Sequence, residues 1–307
     1  MKLFYYLNYL KRVLTPQYLL QRKKNKLEEK FVAKAQYIDR RVAYYLKRQN
    51  KFELPETATS IAGFKHKGQS QYVIDLMSNM VFFPKNLHFL YHFGDETHQE
   101  MYPTIFKARP IGRESETSVL MKLVRYRHFR FVNDKKKFTE KLNMAVFRGA
   151  VSQAHRIRFM EKMASHQLMD AGQSNESETH PDWKKPFMSV EEQLNYKFIV
   201  CLEGNDVASN LKWAMSSNSV VITPKMKFET WFMEGTLESG VHYIEVNDDW
   251  SDFDEKVSYY IENPHEAEKI IKNAHAYITP FKDDDLEQLI CIKTLERYFE
   301  LSGQMKL

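Results

Sequence analysis

Short apolar runs separated by small polar turns organise the second half of the chain. Residues 198–202 form one such run, which ends in a polar turn around Gly204. Ala208, Leu211 and Met215 then recur at helical spacing, and residues 220–222 and 242–246 supply further runs. A continuous apolar run suits a strand buried on both faces of a parallel sheet, so the pattern predicts strand, turn, helix, strand. In such a unit the loop after the first strand lies at the sheet's carboxyl edge, beside a helix N-terminus, where α/β proteins hold phosphates. A shorter strand is expected at 144–147, running into Arg148 and Gly149, and a polar loop at 171–185. Helices are expected at 253–263, 264–277 and 283–299.

The first half is less regular. Phe31, Ala35, Ile38, Val42 and Leu46 share a face and predict a helix over 27–51, and a second helix is expected at 72–80. Strands are expected at 87–93 and 105–108. The alternating basic and aromatic residues 125–131 read as a strand with one wet face. A chain of 307 residues suggests two domains, placed at 1–140 and 141–307, with the terminal helix able to return to the first.

Charge is unevenly spread. Residues 1–60 hold 14 Lys and Arg against 5 Asp and Glu, and the remainder holds 31 against 35. Leu3, Phe4, Leu7, Leu10 and Leu14 at helical spacing, with tyrosines and Lys11, Arg12, Arg22, Lys23, Lys24 and Lys26, fit two roles. One is a helix on an anionic membrane surface through residues 1–26; the other is a domain-packing helix with a solvated basic face. No apolar run reaches 18 residues, and the opening segment lacks a small-residue cleavage site, so neither a membrane span nor a signal peptide is expected. No nucleic-acid module is present, and nucleic acid is not expected as a partner. Cys201 and Cys291 lack partners at metal or redox spacing, so Cys201 reads as a small buried hydrophobe.

The order and spacing of several short motifs resemble glycosyltransferase family 90, which includes protein O-glucosyltransferases and bacterial lipopolysaccharide glycosyltransferases. These motifs are Gly94-Asp95, Phe147-Arg148-Gly149 with Arg156, Tyr196-Lys197 through Ala208-Ser209, Asn218-Ser219-Val220-Val221, Trp231-Phe232, and His242-Tyr243-Ile244 with Asp252. The resemblance covers residues 72–278. It implies an α/β fold of GT-B type, two Rossmann-like domains facing across a cleft. It also implies an inverting, metal-independent transfer of a hexose or pentose from a UDP-sugar to a saccharide or lipid-linked glycan, with lipopolysaccharide as the leading acceptor.

A diphosphate leaving group without a metal needs guanidinium groups and backbone N–H donors. The resemblance assigns Arg156 to the pyrophosphate, with Arg148 either assisting or bridging the domains. Gly204, Asn205, Asp206, Val207, Ala208 and Ser209 would form the receiving loop and helix start, with Gly149 a further donor-side residue. Asn210 stands where eukaryotic relatives hold an arginine, and Lys212 either replaces that charge or is a solvated helix lysine. Asp95 matches the expected general base, with helix capping as its other reading. Glu96 and Arg109 are acceptor-side candidates. No cofactor is expected, and the location implied is cytoplasmic, peripheral on the inner face of the cytoplasmic membrane. A second class stays open: a non-catalytic basic protein that keeps the fold and binds membrane or an anionic polymer. The acids at 248–249, 252, 254 and 283–285 each precede an expected helix and read as caps. The histidines show no ligand spacing, and His98 has no partner close in sequence.

Overall fold

The computed structural model describes residues 2–66, 68–112 and 116–306. The chain divides into two compact units: Met1–Phe129 with Phe228–Gly235 and Pro280–Leu307, and Arg130–Lys227 with Thr236–Thr279.

The second unit is built on a five-stranded parallel sheet. Its strands, in chain order, are Leu142–Gly149, Met169–Gln173, Tyr196–Val200, Val220–Pro224 and Ile244–Val246. Numbered in that order, their spatial order is 2-1-3-4-5. The central runs behave as their composition demands: Phe198, Ile199, Val200 and Ile222 are fully enclosed. Helices Ala154–Met163, Phe253–Glu262 and Pro264–Ile278 cover the faces. Phe159, Met160, Trp250, Phe253 and Ile270 join the strand residues in one core.

The chain leaves the first strand toward the second on one side, while the third strand leads to the fourth on the other side. The two sets of loops therefore diverge between strands one and three. In doubly wound sheets this switch point opens a crevice at the carboxyl edge.

Three expectations for this unit change. The polar loop expected at 171–185 starts later, because Ala171, Gly172 and Gln173 are buried in the second strand. That strand lies at the sheet's edge, where small and polar residues are tolerated. Gly172 is required there, since a Cβ would stand 2.6 Å from Lys185 Cβ. The helix expected from Ala208 is only Leu211–Met215, too short to present a substantial dipole. Asp252 does not cap by its side chain: it accepts from the Asn247 amide at 2.9 Å and pairs with Lys256 at 2.7 Å.

The first unit is helical, with short strand pairs. Its helices are Lys2–Leu14, Gln17–Lys30, Ala35–Tyr45, Ser70–Met80 and the terminal Asp284–Leu301, with the single turn Arg125–His128. Asp283 caps the terminal helix, accepting from the amides of Asp285 and Leu286 at 3.2 and 3.1 Å. That helix is buried almost all round, from Leu286 to Phe299. Its Glu287 anchors a buried network, taking Arg41, Lys122 at 3.0 Å and the Trp231 indole N–H at 2.6 Å. Strands Thr104–Phe106 and Ser118–Leu120 pair in parallel, and Phe228–Thr230 pairs antiparallel with Ala108–Pro110. Among the described residues this unit has only two-stranded sheets, so the Rossmann-like expectation describes the second unit alone.

The helix expected over 27–51 is two helices joined at the turn Val32–Lys34, and nothing local in the sequence marks that break. The strand expected at 87–93 narrows to His88–Phe89. Residues 125–131 are not a strand. Buried Asp75 takes both the backbone N–H of Arg125 and its guanidinium, each at 2.8 Å, and pins a helical turn.

Helix Lys2–Leu14 buries Tyr5 against helix Ser70–Met80, where its hydroxyl donates to the Gln71 carbonyl at 3.1 Å. Phe4, Leu7, Leu10 and Leu14 remain exposed. Lys23 and Lys24 turn to Gln288 and Glu296 of the terminal helix, leaving Lys11, Arg22 and Lys26 on the surface. No helix among the described residues is long and apolar enough to cross a membrane.

Candidate active site

At the switch point of the second unit, Arg156 joins the two diverging loops. It lies in the first turn of helix Ala154–Met163. Its Nε donates to the Glu203 carbonyl at 2.8 Å, one terminal nitrogen to Leu202 at 2.7 Å, and the other to Ala150 at 2.7 Å. One guanidinium thus ties the loop after strand one to the loop after strand three. Burial lowers its pKa, since desolvation disfavours the cation. A guanidinium carries five N–H donors; three are used here, and each terminal nitrogen retains one. Of the two glycines at the crevice, Gly149 is the sterically tight one. A Cβ on Gly204 would meet an Arg156 terminal nitrogen at 3.5 Å, and one on Gly149 would stand 3.0 Å from the Phe147 ring.

Neighbouring side chains complete this edge. His155 Nε2 lies 2.8 Å from the same Glu203 carbonyl, Gln153 donates to Asn205 Oδ1 at 3.1 Å, and the Lys227 amide donates to the Glu203 carboxylate at 3.0 Å. None of Gln153, His155 and Lys227 was singled out from sequence. The signal was present for two of them, since they occupy the turn between Gly149 and Arg156.

Several expected donor contacts lie elsewhere. Arg148 is committed to the neighbouring strand, with 2.9 Å to the Asp170 carboxylate and 2.8 Å to the Asp170 carbonyl. Burial pushes Asp170 up, but hydrogen bonds from Lys185, Tyr196 and Arg148 outweigh it and hold the carboxyl below the usual range. In return, burial and Asp170 push the Tyr196 phenol up to about 12. This is a structural cluster inside the unit. Lys212 is completely buried, so it is neither a solvated lysine nor a charge offered to a diphosphate. Its charge bears on Cys201, whose thiol burial pushes well above the ordinary value. Asp206, Val207 and Ala208 are also buried, whereas Gly204, Asn205 and Ser209 keep accessible surface. Asn210 donates its side-chain amide to the Val200 carbonyl at 3.0 Å, closing the end of strand three.

In the first unit, Asp95 follows Gly94, whose φ of +121° turns the chain sharply after Phe93. Its carboxylate pairs with Lys107 and receives a long contact from the Tyr72 hydroxyl at 3.5 Å. The carboxylate is 40% exposed, whereas Lys107 is nearly enclosed, so one face of Asp95 is open to a ligand. No helix begins directly after Asp95, so it does not cap one. Glu96 is exposed beside His98. Arg109 is corrected from an acceptor contact to a buried structural residue: it pairs with Glu229 at 2.7 Å and donates to the carbonyls of Tyr44, Tyr45 and Ser118. Although the histidines lack ligand spacing along the chain, folding brings His92, His98 and Glu100 together.

The model of glycosyl transferase family 90 matches residues 115–302, which include the whole second unit's sheet and both loops that Arg156 ties. The chain belongs to glycosyl transferase family 90. It is 40% identical over 264 residues to the O-glucosyltransferase LpsA of Dichelobacter nodosus, covering 86% of this chain and 83% of that one. It is 30% identical over 141 residues to Protein O-glucosyltransferase 3 of Homo sapiens, covering 43% of this chain and 27% of the human protein. An uncharacterised protein, 027R of Frog virus 3, is 29% identical over 120 residues. This family-90 chain is accordingly a glycosyltransferase, an enzyme that must hold a sugar donor and an acceptor. Asp95, Glu96 and Arg109 precede the matched segment, so the family match bears on the donor-side residues.

Proposed function

We propose that the enzyme transfers a sugar, glucose first among candidates, from a UDP-sugar to an acceptor hydroxyl with inversion at the anomeric carbon. The observation that carries this reading is the Arg156 latch at the switch point, which leaves two guanidinium N–H donors beside the first turn of a ten-residue helix. Such a place suits a diphosphate, because helix N–H groups and a guanidinium both favour anionic oxygens. Arg156, Gly149, Gly204, Asn205 and Ser209 would receive it, assisted by His155.

In this reading the fold is of GT-B type, with the second unit as its Rossmann-like, donor-binding half, and Asp95 supplies the base. Asp95 takes the proton of the acceptor hydroxyl, and the oxygen attacks the anomeric carbon. The bond to the diphosphate oxygen breaks on the opposite face, and UDP leaves with the electron pair. No metal is assigned to the diphosphate. The names of two relatives, both O-glucosyltransferases, support glucose and an oxygen acceptor. A lipopolysaccharide or other lipid-linked glycan fits best with the exposed apolar face of helix Lys2–Leu14 and its cations, which would rest on the inner face of the cytoplasmic membrane.

The direct test measures UDP release from UDP-glucose, UDP-galactose and UDP-xylose without added magnesium or manganese. UDP-glucose should be turned over, and neither ion should be required. Absence of both binding and hydrolysis for every nucleotide sugar would refute the donor assignment. For the membrane, flotation with anionic vesicles should recover the full chain and lose the chain lacking residues 1–26. Equal recovery of both would remove the membrane role.

A further inference from the structure

We infer that His92, His98 and Glu100 form a binding site for a transition-metal ion, zinc by preference, on the loop that carries Asp95. His92 Nε2 and His98 Nε2 lie 2.8 and 2.9 Å from one oxygen, Glu100 Oε1. Two imidazoles and a carboxylate whose ligand atoms lie within 4.8 Å of one another provide three protein donors and leave one position open. Ligands at about 2.0–2.2 Å around a tetrahedral ion stand roughly 3.3 Å apart, so the cluster needs only small adjustments. The nitrogen and oxygen donors select zinc or its neighbours over calcium or magnesium, which prefer oxygen alone.

The rings are aimed before any ion arrives. His92 stacks on the buried Phe106 ring, with centroids 5.5 Å apart and planes 10° apart, and its backbone N–H donates to the Ile105 carbonyl at 2.9 Å. His98 meets Phe106 edge-on at 5.5 Å and His92 at 4.7 Å. On its far side, His98 Nδ1 lies 3.4 Å from Glu96 Oε2. A carboxylate there favours the Nδ1–H tautomer and frees the Nε2 lone pair for a metal, the arrangement that commonly supports ligating histidines. Without an ion, both ring nitrogens converge on one carboxylate oxygen, Glu100 Oε1. An ion satisfies all three groups.

The site has a consequence for Asp95. Residues 94–103 leave the Ile105 ladder after Phe93 and return to it at Thr104, and the metal would tie positions 92, 98 and 100 across that excursion. His92, His98 and Glu100 thereby become positioning residues for the loop that presents the carboxylate. This consequence rests on the proposed role of Asp95; the binding site does not.

Zinc titration of the metal-stripped full chain by calorimetry, with cobalt as a spectroscopic substitute, tests the site. One ion should bind per chain, with a cobalt spectrum of low-coordinate nitrogen and oxygen ligation. His92→Ala and His98→Ala should each weaken binding by more than about a hundredfold, and Glu96→Gln by about tenfold, the usual range for loss of an outer carboxylate. His265→Ala, at an exposed histidine of the second unit, should change nothing. Substoichiometric binding, or full binding in both His92→Ala and His98→Ala, would overturn the site. Amide exchange across residues 94–100 should slow when zinc is added, and unchanged exchange would overturn the positioning role. Zinc binding in a chain that turns over no nucleotide sugar would leave the site standing and refute the donor mechanism alone.

Discussion

Asp95→Asn should lower the transfer rate about a thousandfold, within the range of about 10²–10⁴ typical of a lost general base, while UDP affinity stays within about twofold. The substitution keeps the shape of the side chain and removes only its capacity to accept a proton. Structure supplies a competing role, because Lys107 is almost fully enclosed and Asp95 is its partner. Removing one member of such a pair can destabilise the protein by leaving a charge uncompensated. The two roles separate on three measurements: steady-state rate with acceptor, UDP affinity by calorimetry, and thermal midpoint. A base assignment requires a collapsed rate at nearly unchanged UDP affinity. A rate that survives, or a rate loss matched by the fall in folded protein, would mean that Asp95 serves Lys107 rather than the acceptor. Glu96→Gln offers the internal comparison, since Glu96 is more exposed and faces His98; it should cost far less.

What the sequence revealed and concealed follows from how each residue is used. Strands three and four were legible because parallel strands covered on both faces must be apolar throughout, as Phe198 to Leu202 and Val220 to Ile222 are. Strand two was not, because an edge position tolerates Asp170, Gly172 and Gln173, which by type read as loop. The sequence pattern also could not say where a charged side chain points. Lys212, Arg109 and Arg148 look like anion binders by residue type, yet one is fully buried beside Cys201 and two are committed to carboxylates inside their units. The Asn210 substitution, which by resemblance removed a phosphate-binding arginine, acquires a positive role from the carbonyl it satisfies at Val200. Residues 92, 98 and 100 carry no recognisable ligand spacing, because a turn at Gly94 and a ring stack on Phe106 bring them together.

Arg156→Ala should raise the UDP dissociation constant by at least about thirtyfold and lower the stability of the chain by about 2 kcal/mol, the scale of leaving partly buried carbonyls without donors. Two effects share one cause. The guanidinium holds Ala150, Leu202 and Glu203 at once, so its removal frees the loops after strands one and three as well as deleting a cation. Arg156→Lys distinguishes latch from charge. Lysine keeps the cation but has one nitrogen, which cannot span carbonyls on both loops in the planar geometry of a guanidinium. If latching organises the donor site, Arg156→Lys should lose nearly as much UDP affinity as Arg156→Ala, and both should increase amide exchange at residues 202–205. If the charge alone mattered, lysine would restore most of the affinity and leave exchange as in the parent. Recovery of affinity by lysine would therefore refute the latch, even with transfer intact. Retention of UDP affinity in Arg156→Ala would go further and remove the diphosphate from this crevice, since Arg148 and Lys212 are already engaged within the fold and cannot replace it without repacking.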